Sequence, residues 1–134
     1  MYFLIGSGKP QTTKNDSGNF LSDGNNLDLD KLSKSVAVAE TSGCKDGTAI
    51  KRKNCHGIMT WKTGKRQPAY FASYEESHAA FKKIWSKSYK VYPTKELAIK
   101  YSGSDKSCTW LSTVDIVYKG ATNWKCDKKG NFVN

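Results

Sequence analysis

Hydrophobic and polar positions follow different rules in successive parts of this chain. Residues 6–26, GSGKPQTTKNDSGNFLSDGNN, hold few apolar side chains, so local burial does not offset the entropy lost on ordering the backbone. The pattern predicts a flexible N-terminal segment over residues 1–26, with Phe20 and Leu21 as its anchors to a core that begins late. Before it, Tyr2 to Ile5 form an apolar run too short for a signal-peptide core or a membrane span.

From Leu27 the spacing becomes helical. Leu29, Leu32, Val36 and Ala39 or Glu40 recur every three or four residues, which predicts an amphipathic helix of about four turns with Asp28 or Asp30 as N-cap. Its final stretch, Val36 to Ala39, is apolar all round and is expected to be buried. Glu40 is thereby delivered to the edge of the core.

Glycines and a proline then punctuate short apolar pieces over residues 43–72, predicting a loop, a turn and a short hairpin or irregular lobe, closed against the core by Tyr70 and Phe71. Ser73 with Glu76 fits a capping box for a helix whose stripe is Ala80, Phe81, Ile84, Trp85 and Tyr89. A shorter helix, KELAIKYS, follows Pro93-Thr94 and ends at Gly103. A last helix, Ser107 to Tyr118, is expected to be capped by Ser or Asp, to bury Trp110, Leu111, Val114 and Val117, and to stop at Gly120. Trp124 and a disulfide are expected to hold the tail. The fold class read from these elements is mainly α (α+β), one domain over residues 27–134.

The chain has 134 residues, 37% of them hydrophobic and 12% aromatic, which suits one compact core. Its 22 Lys and Arg against 12 Asp and Glu give a net charge of +10, a balance that attracts nucleic acid, an anionic membrane surface or an acidic wall polymer. Along the sequence the basic residues are spread rather than gathered in a tail. Cys44, Cys55, Cys108 and Cys126 allow three pairings. The sequence-local one, Cys44 with Cys55 and Cys108 with Cys126, is favoured, and disulfides place the chain in an oxidising compartment. Apart from the adjacent Cys55 and His56, no zinc-type spacing occurs, so neither metal nor cofactor is expected.

Chemistry is narrowed by elimination. Only His56 and His78 are available as imidazoles, no G-x-S-x-G elbow is present, phosphate-cradling glycine motifs are missing, and paired cysteines leave no free thiol nucleophile. Acid–base work by a carboxyl group remains. Glu40 is a candidate, because burial at a helix end raises a carboxyl pKa; on the segment alone it reads equally as a helix-terminal Glu that reaches solvent.

At this point VAVAETSGC (residues 36–44, with Val36 its first residue) and NCHGIMTW (residues 54–61) resemble the lysozyme-like peptidoglycan hydrolases, in which a helix ends in Glu-Ser or Glu-Thr and a later G-(I/L)-M-(Q/T) turn closes a cleft. Ala98 to Gly103 is similar to the Tyr-x-x-Gly landmark of the lytic transglycosylase branch, one residue shorter. Asn54 to Ile58 and FASYEESHAAFKKIW are similar to the β-N-acetylglucosaminidase branch. The resemblance spans about residues 30–118. Thr41 stands where many relatives have Ser, and His56 and Trp61 depart from the transglycosylase turn, which ends in Gln.

The resemblance implies a single lysozyme-like domain that cleaves the β-1,4 glycan backbone of bacterial peptidoglycan as a monomer. In it Glu40 is the general acid, Tyr101 orients it or stabilises positive charge at the anomeric carbon, and Asp46 is the nearest candidate second carboxylate, with Asp105 a distal one. Thr41, Ser42, Asn54, His56, Gly57, Ile58, Met59, Thr60 and Trp61 are the implied substrate-binding set; Trp61 and Trp110 are candidate stacking surfaces for a sugar ring, tryptophans being first of all core residues. The expected partner is the glycan strand, with no nucleic acid and no membrane anchor, in an extracellular, envelope or virion-associated setting. The rival readings are a non-catalytic glycan-binding protein of the same fold and a basic nucleic-acid-binding module.

Overall fold

The computed structural model describes residues 3–5, 27–102 and 105–133. Of the expected flexible segment over residues 1–26, all but residues 3–5 lie outside the described residues, as do its anchors Phe20 and Leu21 and the helix stop Gly103. Among the described residues, five helices and a small sheet make an α+β fold: β1 (Phe3–Ile5), α1 (Leu29–Thr41), α2 (Gly47–Arg52), β2 (Ile58–Lys62), β3 (Lys65–Pro68), α3 (Tyr74–Ser88), α4 (Lys95–Ser102) and α5 (Ser107–Lys119). β2 and β3 form the anticipated antiparallel hairpin, with Met59 opposite Pro68 and Lys62 opposite Lys65. β1 adds parallel to β2, Phe3 opposite Ile58, a pairing inside the N-terminal segment that its composition did not announce.

α1 begins where Asp28 accepts the Lys31 amide and ends at Ser42, whose backbone is left-handed at φ 56°. Its inner face, Leu29, Leu32 and Val36, meets Ile58 of β2, Phe81 and Trp85 of α3, Ala98 and Tyr101 of α4, and Trp110, Leu111 and Val114 of α5 in one core. The apolar end of α1 is not buried all round as expected: Val38 is 38% exposed, because a helix on the rim of a single core has one outward stripe whatever its composition.

α2 occupies sequence expected to be loop. Asp46 caps it by accepting the Ala49 amide, and the helix lasts six residues before Lys53 turns left-handed at φ 51°. So short a helix carries too few apolar positions to declare a period. Of the pair expected to close this lobe, Phe71 packs on the core, whereas Tyr70 is 61% exposed beneath the Arg52 guanidinium, 4.4 Å from its ring centre.

Two expectations for α5 need correcting. No side chain caps its start; Lys106 stands at the N-cap position in left-handed backbone. The first free amides, of Cys108 and Thr109, instead donate to the carbonyl of Gly130 in the C-terminal tail at 3.0 and 3.2 Å, satisfying donors every helix start leaves open. Gly130 sits so close that a Cβ there would lie 2.7 Å from Thr109 Oγ1 and 3.2 Å from the Lys106 backbone, at φ +87°. The buried line of α5 includes Leu111, Val114 and Asp115, so Val117 falls beside it and is exposed. Asp115 is held by the Tyr92 and Thr122 hydroxyls at 2.7 and 3.0 Å. The tail is tied by Cys108–Cys126 and by Trp124 packed edge-on against Phe132.

Candidate functional site

The site is assembled at the C-terminal end of α1, where that helix meets α4 and α5. Glu40, in the last turn of α1, is half-buried, and its Oε2 accepts the indole N–H of Trp110 at 2.7 Å. Loss of hydration raises its pKa from 4.5 to about 7, against the opposing effect of the Trp110 hydrogen bond, which favours the carboxylate. At neutral pH this group therefore exists in both protonation states, as a residue that gives and recovers a proton must.

Tyr101 of α4 lies inside the same cluster, fully enclosed, its ring centre 4.9 Å from that of Trp110 and 5.6 Å from that of Trp85. Burial, and then the neighbouring Glu40 carboxylate, hold its phenol well above the usual tyrosine range, so it stays a neutral hydroxyl. That hydroxyl points to the carbonyl of His56 at 3.5 Å. Glu40, Tyr101 and Trp110 are thus one connected group built from three helices. Asp46 is in a different position: it is exposed and one of its oxygens caps α2. Asp105 is exposed ahead of α5.

Of the residues expected to bind substrate, several turn inward. The Thr41 hydroxyl sits 2.8 Å from the Cys55 carbonyl and 3.0 Å from that of Ala37 while accepting the Cys44 amide at 2.9 Å. It ties the end of α1 to the Cys44–Cys55 disulfide. Asn54 donates to the carbonyls of Ile58 and Ala69 and accepts the Ile58 amide, using its amide group to clamp the base of the hairpin. Ile58 is fully buried. Ser42 is exposed as the C-cap of α1.

His56 is buried between α1 and α3, stacked on Phe81 at 4.8 Å. Its Nε2 lies 3.0 Å from the Ser33 carbonyl, which can only accept, so that nitrogen carries the proton. Nδ1 then accepts from Ser77 Oγ at 3.0 Å, while Ser77 itself receives the Cys55 amide. Burial first, and then His78 beside it, lower the His56 pKa to about 3. Ser33 Oγ continues the chain to His78 Nδ1 at 2.6 Å. A nitrogen of His78 and the sulfurs of Cys44 and Cys55 lie within 4.8 Å of one another, but sulfurs bonded to each other offer no thiolate to a metal.

From Ile58 onward the anticipated turn is strand β2, and the rest of the motif is less buried. Gly57 takes φ 66°, Met59 and Thr60 are half-buried, and Trp61 is 50% exposed on β2. Trp110 is the site residue the sequence reading undervalued. Its place in the stripe of α5 marked it as core, and only the packing of α5 on α1 aims its N–H at Glu40. No protein-family model, curated protein or solved structure matches the chain. No helix among the described residues is long and apolar enough to cross a membrane, and the two disulfides fit an oxidising compartment.

Proposed function

We propose that this protein is a lysozyme-like enzyme that cleaves the β-1,4 glycan backbone of bacterial peptidoglycan outside the cytosol, with Glu40 as general acid. The observation that carries the proposal is the half-buried Glu40 carboxyl, with a pKa near 7, held by Trp110 beside a neutral buried tyrosine. Protonated Glu40 gives its proton to the glycosidic oxygen as the bond to the anomeric carbon breaks. The carboxylate left behind, stabilised by the Trp110 N–H, then takes a proton from the incoming nucleophile, either water or a hydroxyl of the same sugar.

Tyr101 acts as a positioning residue: it packs beside Glu40 and Trp110, and its hydroxyl meets the strand-entry loop at His56. Since Asp46 caps α2, the arrangement favours a route with one catalytic carboxyl, in which the N-acetyl group or a sugar hydroxyl supplies the nucleophile. Gly57, Met59, Thr60 and Trp61 are the proposed sugar contacts. Thr41, Asn54 and His56 support that turn from within.

The test is digestion of purified peptidoglycan by wild type and Glu40→Gln, with products read by mass. Wild type releases muropeptides and Glu40→Gln falls by at least ~10²-fold, the lower end of a general-acid contribution. An anhydro-sugar end identifies intramolecular transfer and a reducing end identifies hydrolysis. Wild-type protein that leaves peptidoglycan intact, or Glu40→Gln that digests it normally, refutes the proposal.

A further inference from the structure

The net charge is uneven along the chain, and most of it falls in one contiguous stretch. Residues 43–72 hold seven Lys and Arg against one acid, a net of +6, while the other 104 residues hold 15 against 11, a net of +4. The one acid, Asp46, is the cap of α2. Among the described residues, the ion pairs Lys82–Asp30 and Lys119–Asp115 lie outside this lobe.

The pieces of the lobe are tied together by hydrogen bonds. Arg52 Nη1 donates to the Pro68 carbonyl at 3.1 Å, the Phe71 amide donates to the Arg52 carbonyl at 2.9 Å, and Asn54 clamps the hairpin base. Lys51, Arg52 and Lys53 of α2 and its cap are thereby joined to Lys62, Lys65 and Arg66 of the hairpin. Arg52 and Lys53 lie over the exposed rings of Tyr70 and Tyr74, at 4.4 and 5.7 Å, an arrangement that holds long cationic side chains in place. β2 connects this face with the proposed sugar contacts, since the one strand Ile58–Lys62 carries Met59, Thr60, Trp61 and Lys62, with Gly57 just ahead of it.

We infer that the lobe of α2, β2 and β3 binds the carboxylates of the peptide stems carried by the same glycan strand whose backbone lies at Glu40. The inference rests on the glycan-cleaving reading for its choice of occupant. Charge complementarity supplies the attraction, and the continuity of β2 with the turn supplies the choice: an anionic group on this face and a sugar at the turn belong to one strand. A preformed cationic surface gains affinity without reorganising.

The experiment measures binding of the intact protein to fluorescent peptidoglycan strands with stem peptides present, to the same strands stripped of peptide, and to poly(dT), at ~50 and ~150 mM salt. Lys51→Gln/Lys62→Gln/Lys65→Gln removes three exposed lobe cations, and Lys87→Gln/Lys100→Gln/Lys125→Gln removes three exposed ones elsewhere, leaving equal net charge. Wild type is expected to bind peptide-bearing strands at least ~10-fold more tightly than stripped strands, with salt weakening the former. The lobe variant loses ~10-fold on peptide-bearing strands and nothing on stripped strands, and the other variant stays within ~2-fold.

Equal binding to both strands, equal losses in both variants, or tighter binding to poly(dT) than to peptide-bearing strands overturns the inference, the last by making the lobe a nucleic-acid surface. Glu40→Gln separates the two claims, because it abolishes cleavage and keeps this binding contrast. Wild type that shows the contrast without cleaving refutes the enzymatic reading and upholds the lobe assignment.

Discussion

Replacing Glu40 by Gln is expected to stabilise the protein, in a way that depends on pH. A carboxyl whose pKa is 4.5 in the unfolded chain and about 7 in the folded one is protonated in both states below pH 4.5, where it has no effect on stability. Between 4.5 and 7 the unfolded chain gives up the proton first, so stability falls as pH rises; above 7 the full penalty is present and constant. At about 1.4 kcal/mol per pH unit, that interval corresponds to about 3 kcal/mol. Solvent reaching the half-buried carboxyl reduces it, leaving about 1–3 kcal/mol.

Gln keeps the shape and an oxygen for the Trp110 N–H while removing the charge, so the variant lacks this pH dependence. For a chain of this length each kcal/mol moves the melting temperature by roughly 4 °C. Thermal unfolding followed by circular dichroism should therefore give similar melting temperatures for the two proteins at pH 4 and a variant higher by roughly 4–12 °C at pH 8. Parallel curves across that range would refute the reasoning, because they would show a carboxyl that is hydrated and no more acidic in one state than the other. The same substitution abolishes the proposed cleavage, so gain of stability and loss of activity are read on one protein.

Trp110→Phe keeps a ring against Tyr101 but removes the N–H that favours the Glu40 carboxylate; the Glu40 pKa should rise by about one unit, moving the alkaline limb of the cleavage pH profile upward, and an unmoved limb counts against the bond. His56, with a folded pKa of about 3 against 6.5 unfolded, contributes stability that is fully present above pH 6.5 and is lost as pH falls toward 3. Its ring carbon resonances should accordingly show a neutral imidazole at pH 5, and a protonated ring there would contradict the buried Ser33–His56–Ser77 chain. Gly130→Ala forces a Cβ against Thr109 and the Lys106 backbone and should lower stability by about 1–3 kcal/mol in urea unfolding. Cys44→Ser/Cys55→Ser opens a link with a sequence separation of 11 and should lower it by about 3 kcal/mol, whereas an unchanged midpoint would mean that the loop is held by Thr41 alone.

Much of the architecture follows from local chemistry. The period of Leu29, Leu32 and Val36 specifies α1, Ser73 with its capping box specifies the start of α3, and glycines and Pro68 bound a hairpin in the expected place. These features are legible because an amphipathic stripe or a cap acts within a few residues. The sequence also placed Glu40 at a helix end and Tyr101 in a helix that the fold brings beside it. α2 was missed because six residues make no stripe, and Val38 and Val117 were misplaced because exposure depends on which side of a helix the core occupies.

What the tertiary structure alone decided is the environment of each group. The same motif supplied Asn54, His56 and Ile58 as buried residues and Met59, Thr60 and Trp61 as progressively more exposed ones along β2, with Asn54 clamping the hairpin base and His56 enclosed between α1 and α3. The feature that gives Glu40 its character, the Trp110 N–H, comes from seventy residues away. A sequence fixes which helices can form, which carboxyl ends one of them and that residues 43–72 are rich in cations; hydration and hydrogen-bond partners arise only when distant segments exclude water together.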